Sequence, residues 1–312
     1  MRFGISIPNF RGAASPETFE KVARRGEEAG FNDIWIGDHI VMPKVTNVEH
    51  PYIGADQWNS NYRPGSWSGD IPVYEPFTLM GYLAGITERV GIGIGALVVP
   101  LRNPVETAKM LATVDVLSGG RIILGVGVGW LKEEFAALDV PWEQRGHRTD
   151  EYLALMQELW RSPEPEFTGQ FYNLPDGIWF EPRPVAGSIP IWVGGNSPAA
   201  LRRAARVGDG WYGRDVDPTG VRTTKDELDH LIEQNDRDSS GFVYSVRVDV
   251  EIKDGPGVKP ADGPAEKVAE AIREYKAAGL THFQMATSPR LSTEGILEQI
   301  DRFCEQVKPL LE

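Results

Sequence analysis

Apolar and polar positions along this chain switch repeatedly between a period of two and a period near 3.6. Phe3, Ile5 and Ile7 alternate with small or polar residues up to Pro8, which predicts a first strand. Ser15-Pro16-Glu17 then offers a hydroxyl cap, a proline at the first helical position and an acid in the first turn. Phe19, Val22, Ala23 and Ala29 share one helical face, and Gly30 ends the helix. Residues 32–37 predict a second strand, with Asp38 and His39 at its carboxyl end. A helix over 75–88 leads into the glycine-rich run Gly91-Ile-Gly-Ile-Gly-Ala-Leu-Val-Val-Pro100. Asn103-Pro104-Val105-Glu106 opens a capped helix that stops at Ser118-Gly119-Gly120, with Glu106 placed for a capping box. The next strand is Arg121-Ile-Ile-Leu-Gly-Val-Gly-Val-Gly-Trp130.

The alternation continues to the end of the chain. An amphipathic helix spans 145–160, a strand 189–193, an alanine-rich helix follows to Val207, and 210–212 form a short strand. Then come a charged helix over 218–234, a long strand over 242–252, a helix over 264–278, a strand over 280–286 and a final helix over 293–310. Two segments break the pattern. Residues 42–72 form a long irregular insertion with Tyr52, Trp58, Tyr62 and Trp67, too aromatic for disorder. Residues 164–186 hold two β-like runs around Leu174-Pro175-Asp176-Gly177, a hairpin-like excursion.

Strand and helix alternate about eight times, which calls for parallel strands with helical crossovers. Eight units in 312 residues fit a closed (β/α)8 TIM barrel with insertions better than an open doubly wound sheet. No linker-like stretch divides the chain, so a single domain over 1–312 is expected.

Charge narrows the partners. A net charge of −13 argues against nucleic acid or an anionic membrane surface, since both would repel it. A phosphate-bearing ligand stays open, because a helix N-terminus holds phosphate without net positive charge. The only cysteine, Cys304, excludes an internal disulfide and suits a reducing compartment. Residues 1–8 have the character of a strand and not of a signal peptide, and no apolar run approaches membrane-spanning length. The expectation is a cytoplasmic protein.

In a barrel of this kind, the carboxyl ends of the strands and the loops after them form the active face. They carry Asn9 and Phe10, Asp38 and His39, residues 95–98, 127–130, 194–197, 211–214 and 285–288. This set is rich in glycines and aromatics and poor in paired acids. It suits a flat aromatic cofactor better than glycoside hydrolysis, which needs two facing carboxylates. The glycines either let a ligand approach the backbone closely or let strands and helices pack tightly. His39 is placed to hydrogen-bond a substrate or donate a proton; the structural alternative has it held by Asp38 or a backbone carbonyl. Gly194-Gly195-Asn196-Ser197-Pro198 brings N–H groups, a hydroxyl and a helix start together, which suits either a phosphate or a plain N-cap. This turn follows the fifth strand, whereas barrel phosphate sites usually follow the seventh and eighth. No HExxH, P-loop or Gly-x-Ser-x-Gly motif occurs, and a metal is not expected. A dinucleotide reading of residues 125–130 would need an acid ending a second strand about 20 residues on, where the chain is helical.

Ile36-Gly-Asp-His39, Leu101-Arg-Asn-Pro104, Thr113-Val-Asp-Val-Leu-Ser-Gly-Gly-Arg121, Gly125-Val-Gly-Val-Gly-Trp130 and Ile191-Trp-Val-Gly-Gly-Asn-Ser-Pro198 together resemble the bacterial luciferase-like flavin oxidoreductase superfamily. They are most similar to its deazaflavin branch, which uses coenzyme F420, and the resemblance runs from Phe3 to the last helix. It implies a barrel with an insertion, usually a homodimer, binding the cofactor at the carboxyl face. It further implies a non-proline cis peptide at the end of the third strand, here Gly95–Ala96 with Leu97 following. Asp38 and His39 would lie by the cofactor, and the turn after strand four would supply Val128 and Gly129, with Glu133 the nearest downstream polar residue. The phosphate would lie at Gly194, Gly195, Asn196 and Ser197.

There is one departure. The sugar-phosphate dehydrogenase branch carries a glutamate directly after the strand-four glycine, and this chain has Trp130. Sugar-phosphate oxidation is therefore not expected, and the acid is unassigned. The expected activity is hydride transfer between the deazaflavin and a small organic substrate. Trp58, Trp67 and Trp130 would wall the pocket, although the loop aromatics equally suit a loop core or a dimer contact. The alternatives are an FMN-dependent monooxygenase using reduced flavin and oxygen, and a flavin-binding carrier or sensor without turnover.

Overall fold

The computed structural model describes residues 1–10, 12–43 and 72–312. Eight parallel strands close into a barrel in the order β1 (Arg2–Ser6), β2 (Asp33–Ile36), β3 (Gly91–Val98), β4 (Ile122–Gly127), β5 (Ile191–Gly194), β6 (Gly210–Arg214), β7 (Val243–Asp249) and β10 (His282–Ala286), which pairs back onto β1. The crossovers carry helices α1 (Pro16–Glu28), α2 (Pro76–Ile86), α3 (Pro104–Ser118), α5 (Arg145–Arg161), α6 (Pro198–Val207), α7 (Pro218–Gln234) and α8 (Ala265–Ala277), and α9 (Thr293–Arg302) closes the ring. The expected (β/α)8 barrel is the fold. Its caps follow from the sequence: Ser15, Asn103 and Ser197 each accept a backbone N–H from the first turn of α1, α3 and α6, ahead of a proline that needs no partner.

Four elements differ from the sequence reading. A short helix, α4 (Lys132–Ala137), follows β4. The 164–186 excursion forms no strands, only an antiparallel bridge between Thr168 and Asn173. Its turn is organised from α5 instead, where the Glu151 carboxylate accepts the N–H groups of Gln170, Phe171 and Tyr172 at 2.7–2.8 Å. The long strand expected over 242–252 divides into β7 and β8 (Glu251–Ile252), which pairs with β9 (Asp262–Gly263). The Gln299 carboxamide on α9 holds this break by bonding both the N–H and the carbonyl of Ile252. The final helix ends as α at Arg302 and continues as a π turn over Phe303–Val307 and a 3-10 turn over Lys308–Leu310. The other insertion falls largely outside the described residues.

Strand alternation sends Ile5, Ile34, Ile92, Ile94, Leu124 and Val193 outward into the layer beneath the helices. The opposite faces fill the barrel. Trp35, Ile123, Trp192 and Tyr212 form a buried cluster there, with the Trp35 and Tyr212 rings stacked 5.2 Å apart. Glycines on β3 make the room: a Cβ on Gly93 would sit 2.5 Å from the Trp35 ring, and one on Gly95 2.8 Å from Tyr212. At these two positions the packing alternative holds.

Below the aromatic cluster lies a polar one. Asp33 accepts from Arg2 at 2.9 Å, from His282 Nε2 at 2.8 Å and from the Trp35 indole N–H, while His282 Nδ1 meets Ser245 Oγ at 2.7 Å. The side chains of Asp33 and His282 have no exposed surface. Burial alone would push the Asp33 carboxyl up, but the charge and hydrogen bond of His282, with Trp35 and Arg2, outweigh it and hold the group below the usual range. Such a carboxylate contributes stability above its unfolded pKa and loses it as pH falls through the folded value. Asp33→Asn should therefore cost roughly 3 kcal/mol in urea unfolding at neutral pH, with the difference from the parent narrowing in acid below about pH 4. Equal stability at neutral pH would show that the cluster contributes nothing.

Candidate functional site

The carboxyl ends of β1 to β4 are tied together by side chains before any ligand is considered. Asn9, after β1, accepts the Gly37 N–H at 2.8 Å and donates to the Gly37 and Tyr74 carbonyls, which fixes the end of β2. Asp38 then turns its carboxylate toward β3. It accepts two bonds from Arg102, at 2.7 and 2.6 Å, and one from the Val98 N–H at 2.8 Å. The Asp38 side chain is wholly buried and that of Arg102 is 9 % exposed. Asp38, expected beside the cofactor, thus spends its oxygens on the scaffold and acts as a positioning group.

His39 faces a different acid. Its Nδ1 lies 3.3 Å from Glu134 Oε2 on α4, and the other oxygen of that carboxylate accepts the N–H groups of Ile40 at 2.6 Å and Val41 at 3.3 Å. Burial raises the Glu134 pKa, but the hydrogen bond and charge of His39 and the two backbone donors prevail, keeping it below the usual carboxylate range and ionised. The Phe10 and Trp130 rings stand edge-on to the imidazole at 5.9 and 6.1 Å. His39 and Trp130, each expected on the carboxyl face, lie together there, and among the described residues neither Asp38 nor a carbonyl holds the histidine.

The three glycines of the strand-four stretch serve three purposes. A Cβ on Gly125 would overlap the Ile94 carbonyl of β3, so this residue is needed for strand packing. Gly129 has φ +83 and no room beside Phe135 and Val98, so it makes the turn into Trp130. Gly127 differs, because an added Cβ would meet nothing nearer than the Ala96 methyl at 3.4 Å. The same methyl lies 3.3 Å from a Cβ built on Gly194. Ala96, Gly127 and Gly194 thus form a floor of small residues across β3, β4 and β5. The Gly95–Ala96 peptide is cis, at the position the resemblance implied. The β3–β4 register shifts between Ile94 and Leu97, and Leu97 turns outward into the core, so only its backbone belongs to the mouth. Val128 is partly exposed on the turn.

At the fifth strand, Gly195 has φ +114, donates its N–H to the Tyr212 carbonyl and accepts the Trp211 indole N–H. Asn196 donates its amide to the Arg214 carbonyl, and Ser197 caps α6 through the Ala200 N–H. The Gly195 N–H expected for a phosphate is therefore already used. Asn196, Ser197 and Ala199 are exposed at the start of the helix, so an anion can reach their backbone donors there. The far half of the mouth is charged: Arg214 pairs with Asp215, and Asp249 with Arg247 and Lys259. A cavity of about 590 Å³ opens at the other end of the barrel. Two charged side chains there, the partly buried Arg121 and the exposed Asp209, are spent chiefly on backbone groups.

Glu133 is partly buried, and its Oε2 has no hydrogen-bond partner among the described residues. Trp58 and Trp67 lie outside the described residues. Sequence reasoning missed Glu134 and Arg102. Arg102 lay inside the quoted Leu101-Arg-Asn-Pro104 run without a role, and Glu134 stood next to Glu133; the start of α4 at Lys132 decides which of the two successive glutamates turns inward. Among the described residues no cluster of metal-ligating side chains occurs, and no helix is long and apolar enough to cross a membrane.

The small-residue floor, the exposed residues at the start of α6 and the histidine at the rim fit a flat, phosphate-bearing cofactor with a substrate beside it. Comparison with known proteins points the same way. The sequence profile of luciferase-like monooxygenases matches residues 1–256. An F420-dependent glucose-6-phosphate dehydrogenase of Amycolatopsis mediterranei (strain U-32) is 26% identical over 317 aligned residues, covering 95% of this chain and 86% of its own. An FMNH(2)-dependent dimethylsulfone monooxygenase of Pseudomonas putida is 32% identical over 159 residues, 50% of this chain and 43% of its own. In three dimensions, an F420-dependent secondary alcohol dehydrogenase in complex with an F420-acetone adduct aligns with a TM-score of 0.79 over 100% of this chain and 99% of that one, at 19% identity.

Proposed function

Because the chain belongs to the luciferase-like monooxygenase family, we propose that it is an oxidoreductase moving a hydride between coenzyme F420 and a small organic substrate. When bound, the deazaflavin supplies the hydride chemistry at its C5. The chain supplies the rest. Ala96, Gly127 and Gly194 offer a floor on which a ring can lie, and the backbone of the exposed residues Asn196, Ser197 and Ala199 suits its phosphate. His39 manages the proton on the substrate oxygen. The observation that carries this reading is the His39 imidazole, held by Glu134 between Phe10 and Trp130 at the mouth of the barrel.

The second reading, reduced FMN with oxygen, is favoured by the similarity to the Pseudomonas enzyme. Tryptophan-fluorescence titration with F420 and, separately, FMN tests between them. Saturable quenching by F420 alone is expected; preference for FMN would move the function to oxygen chemistry. With the cofactor in hand, His39→Ala should lower turnover by roughly 10²-fold or more, the usual worth of a placed acid or base, while cofactor affinity stays near that of the parent. An unchanged rate would remove His39 from the reaction. For the phosphate, Ser197→Asp keeps a good helix cap but adds a negative charge. Cofactor Kd should rise about tenfold, a change of about 1.4 kcal/mol, with Tm unaltered; unchanged affinity would discard this phosphate site.

We infer a homodimer as part of the same reading. Tyr82 on α2 and Met110, Val116 and Leu117 on α3 expose large apolar side chains, with Leu117 71% exposed. Sedimentation should give twice the 34.5 kDa of one chain, and a single-chain mass would end the inference. The small-molecule substrate and a cytoplasmic location belong to the proposal as well, the latter supported by the lone, free cysteine Cys304.

A further inference from the structure

The hydrogen bonds around Glu134 specify more than the position of His39. We propose that Glu134 is a positioning residue that locks the His39 imidazole in its Nδ1–H tautomer, leaving Nε2 as the atom that exchanges a proton with the substrate. This inference rests on the reading of His39 given above, and it adds which nitrogen works and what holds it there.

The two carboxylate oxygens have separate duties. Oε1 accepts the N–H groups of Ile40 and Val41, neither of which can act as an acceptor. Oε2 lies 3.3 Å from His39 Nδ1. An ionised carboxylate offers only lone pairs, so a hydrogen bond at Oε2 requires the proton to sit on Nδ1. Glu134 has 2% of its side chain exposed, so water does not readily take the place of either contact. Nε2 has no hydrogen-bond partner among the described residues. The rings that flank the imidazole, Phe10 and Trp130, meet it only as aromatic edges. Asp38, next in sequence, is fully engaged by Arg102 and Val98 and does not compete for the imidazole.

The chemistry follows from the valence of the ring. In the neutral Nδ1–H form, Nε2 carries a lone pair and accepts the hydroxyl proton of a substrate whose carbon gives up a hydride. In the imidazolium form the same atom returns that proton to a carbonyl oxygen receiving one. The opposite tautomer would present an N–H to an alcohol and could not accept its proton. Glu134 thus sets the direction of the lone pair without touching substrate.

Glu134→Gln makes this testable at one atom. The backbone donors at Ile40 and Val41 require the carboxamide oxygen, so the NH2 group must take the place of Oε2 against Nδ1. An NH2 group donates, so Nδ1 must become the acceptor and the imidazole must invert to Nε2–H. Nitrogen-15 chemical shifts of the His39 ring in the cofactor-free protein, at a pH where it is neutral, read the tautomer directly. The expected result is Nδ1–H in the parent and Nε2–H in Glu134→Gln, with turnover falling at least tenfold and KM little changed. Nε2–H in the parent, or the same tautomer in both proteins, would overturn the proposal. The parent spectrum decides the matter even if the variant does not fold. Because it needs neither cofactor nor turnover, its outcome is separate from that of His39→Ala, which tests whether the histidine takes part at all.

Discussion

An eight-stranded barrel encloses a volume that its own side chains must fill, and in this protein three large rings do most of that work. Trp35, Trp192 and Tyr212 occupy the interior because β3 gives up its side chains at Gly93 and Gly95 to admit them. Everything above depends on this exchange. With the interior packed, the small residues Ala96, Gly127 and Gly194 become a floor and not the rim of a hole. Below, the Trp35 indole reaches Asp33, which gathers Arg2 and His282 and makes the buried polar cluster self-sufficient. A buried carboxylate with three donors is stable where an unpaired one would not be.

The scaffold was legible in the sequence because its signals are local. Alternating Phe3, Ile5 and Ile7, the Ser15-Pro16 start and the Gly119-Gly120 stop each report on a few neighbouring residues, and enough of them recur to fix a barrel. His39 and Trp130 were legible for a related reason, since strand ends converge in this architecture whatever the details. What the sequence did not disclose depends on partners far along the chain. Asp38 and Glu134 are both acids near His39, and only the fold shows that Arg102 claims the first and leaves the second to the imidazole. The break between β7 and β8 hides in the same way, because the alternation of Val248, Val250 and Ile252 runs through it while Gln299 arrives from α9. The glycines were ambiguous for a different reason: Gly125, Gly127 and Gly129 look alike in sequence and serve packing, access and turning respectively.

Two successive residues after β2 thus carry opposite assignments. Asp38 is turned into the wall, where its charge is balanced and its geometry fixed by a two-pronged arginine contact. His39 is turned toward the mouth and is met by an acid from the crossover after β4. The pairing joins β2 to α4, so the geometry of the histidine is set by the same short helix that follows the glycine turn at Gly129. Trp130 stands just ahead of α4, and the acid that meets the His39 ring is Glu134 in the first turn of that helix.

The register shift in β3 separates the strand into two halves with opposite parity. Below it, odd positions face the interior; beyond Gly95 and Ala96 the sense reverses, so that Leu97 points outward. A side chain's address on this strand is therefore counted from the nearer end, and the two counts do not agree. Removing one of the two residues at the shift would restore uniform alternation and leave Leu97 outward, but would take away the extra residue through which both Gly95 and Ala96 reach the interior side. The floor therefore depends on the length of the strand at this point as well as on the side chains it carries.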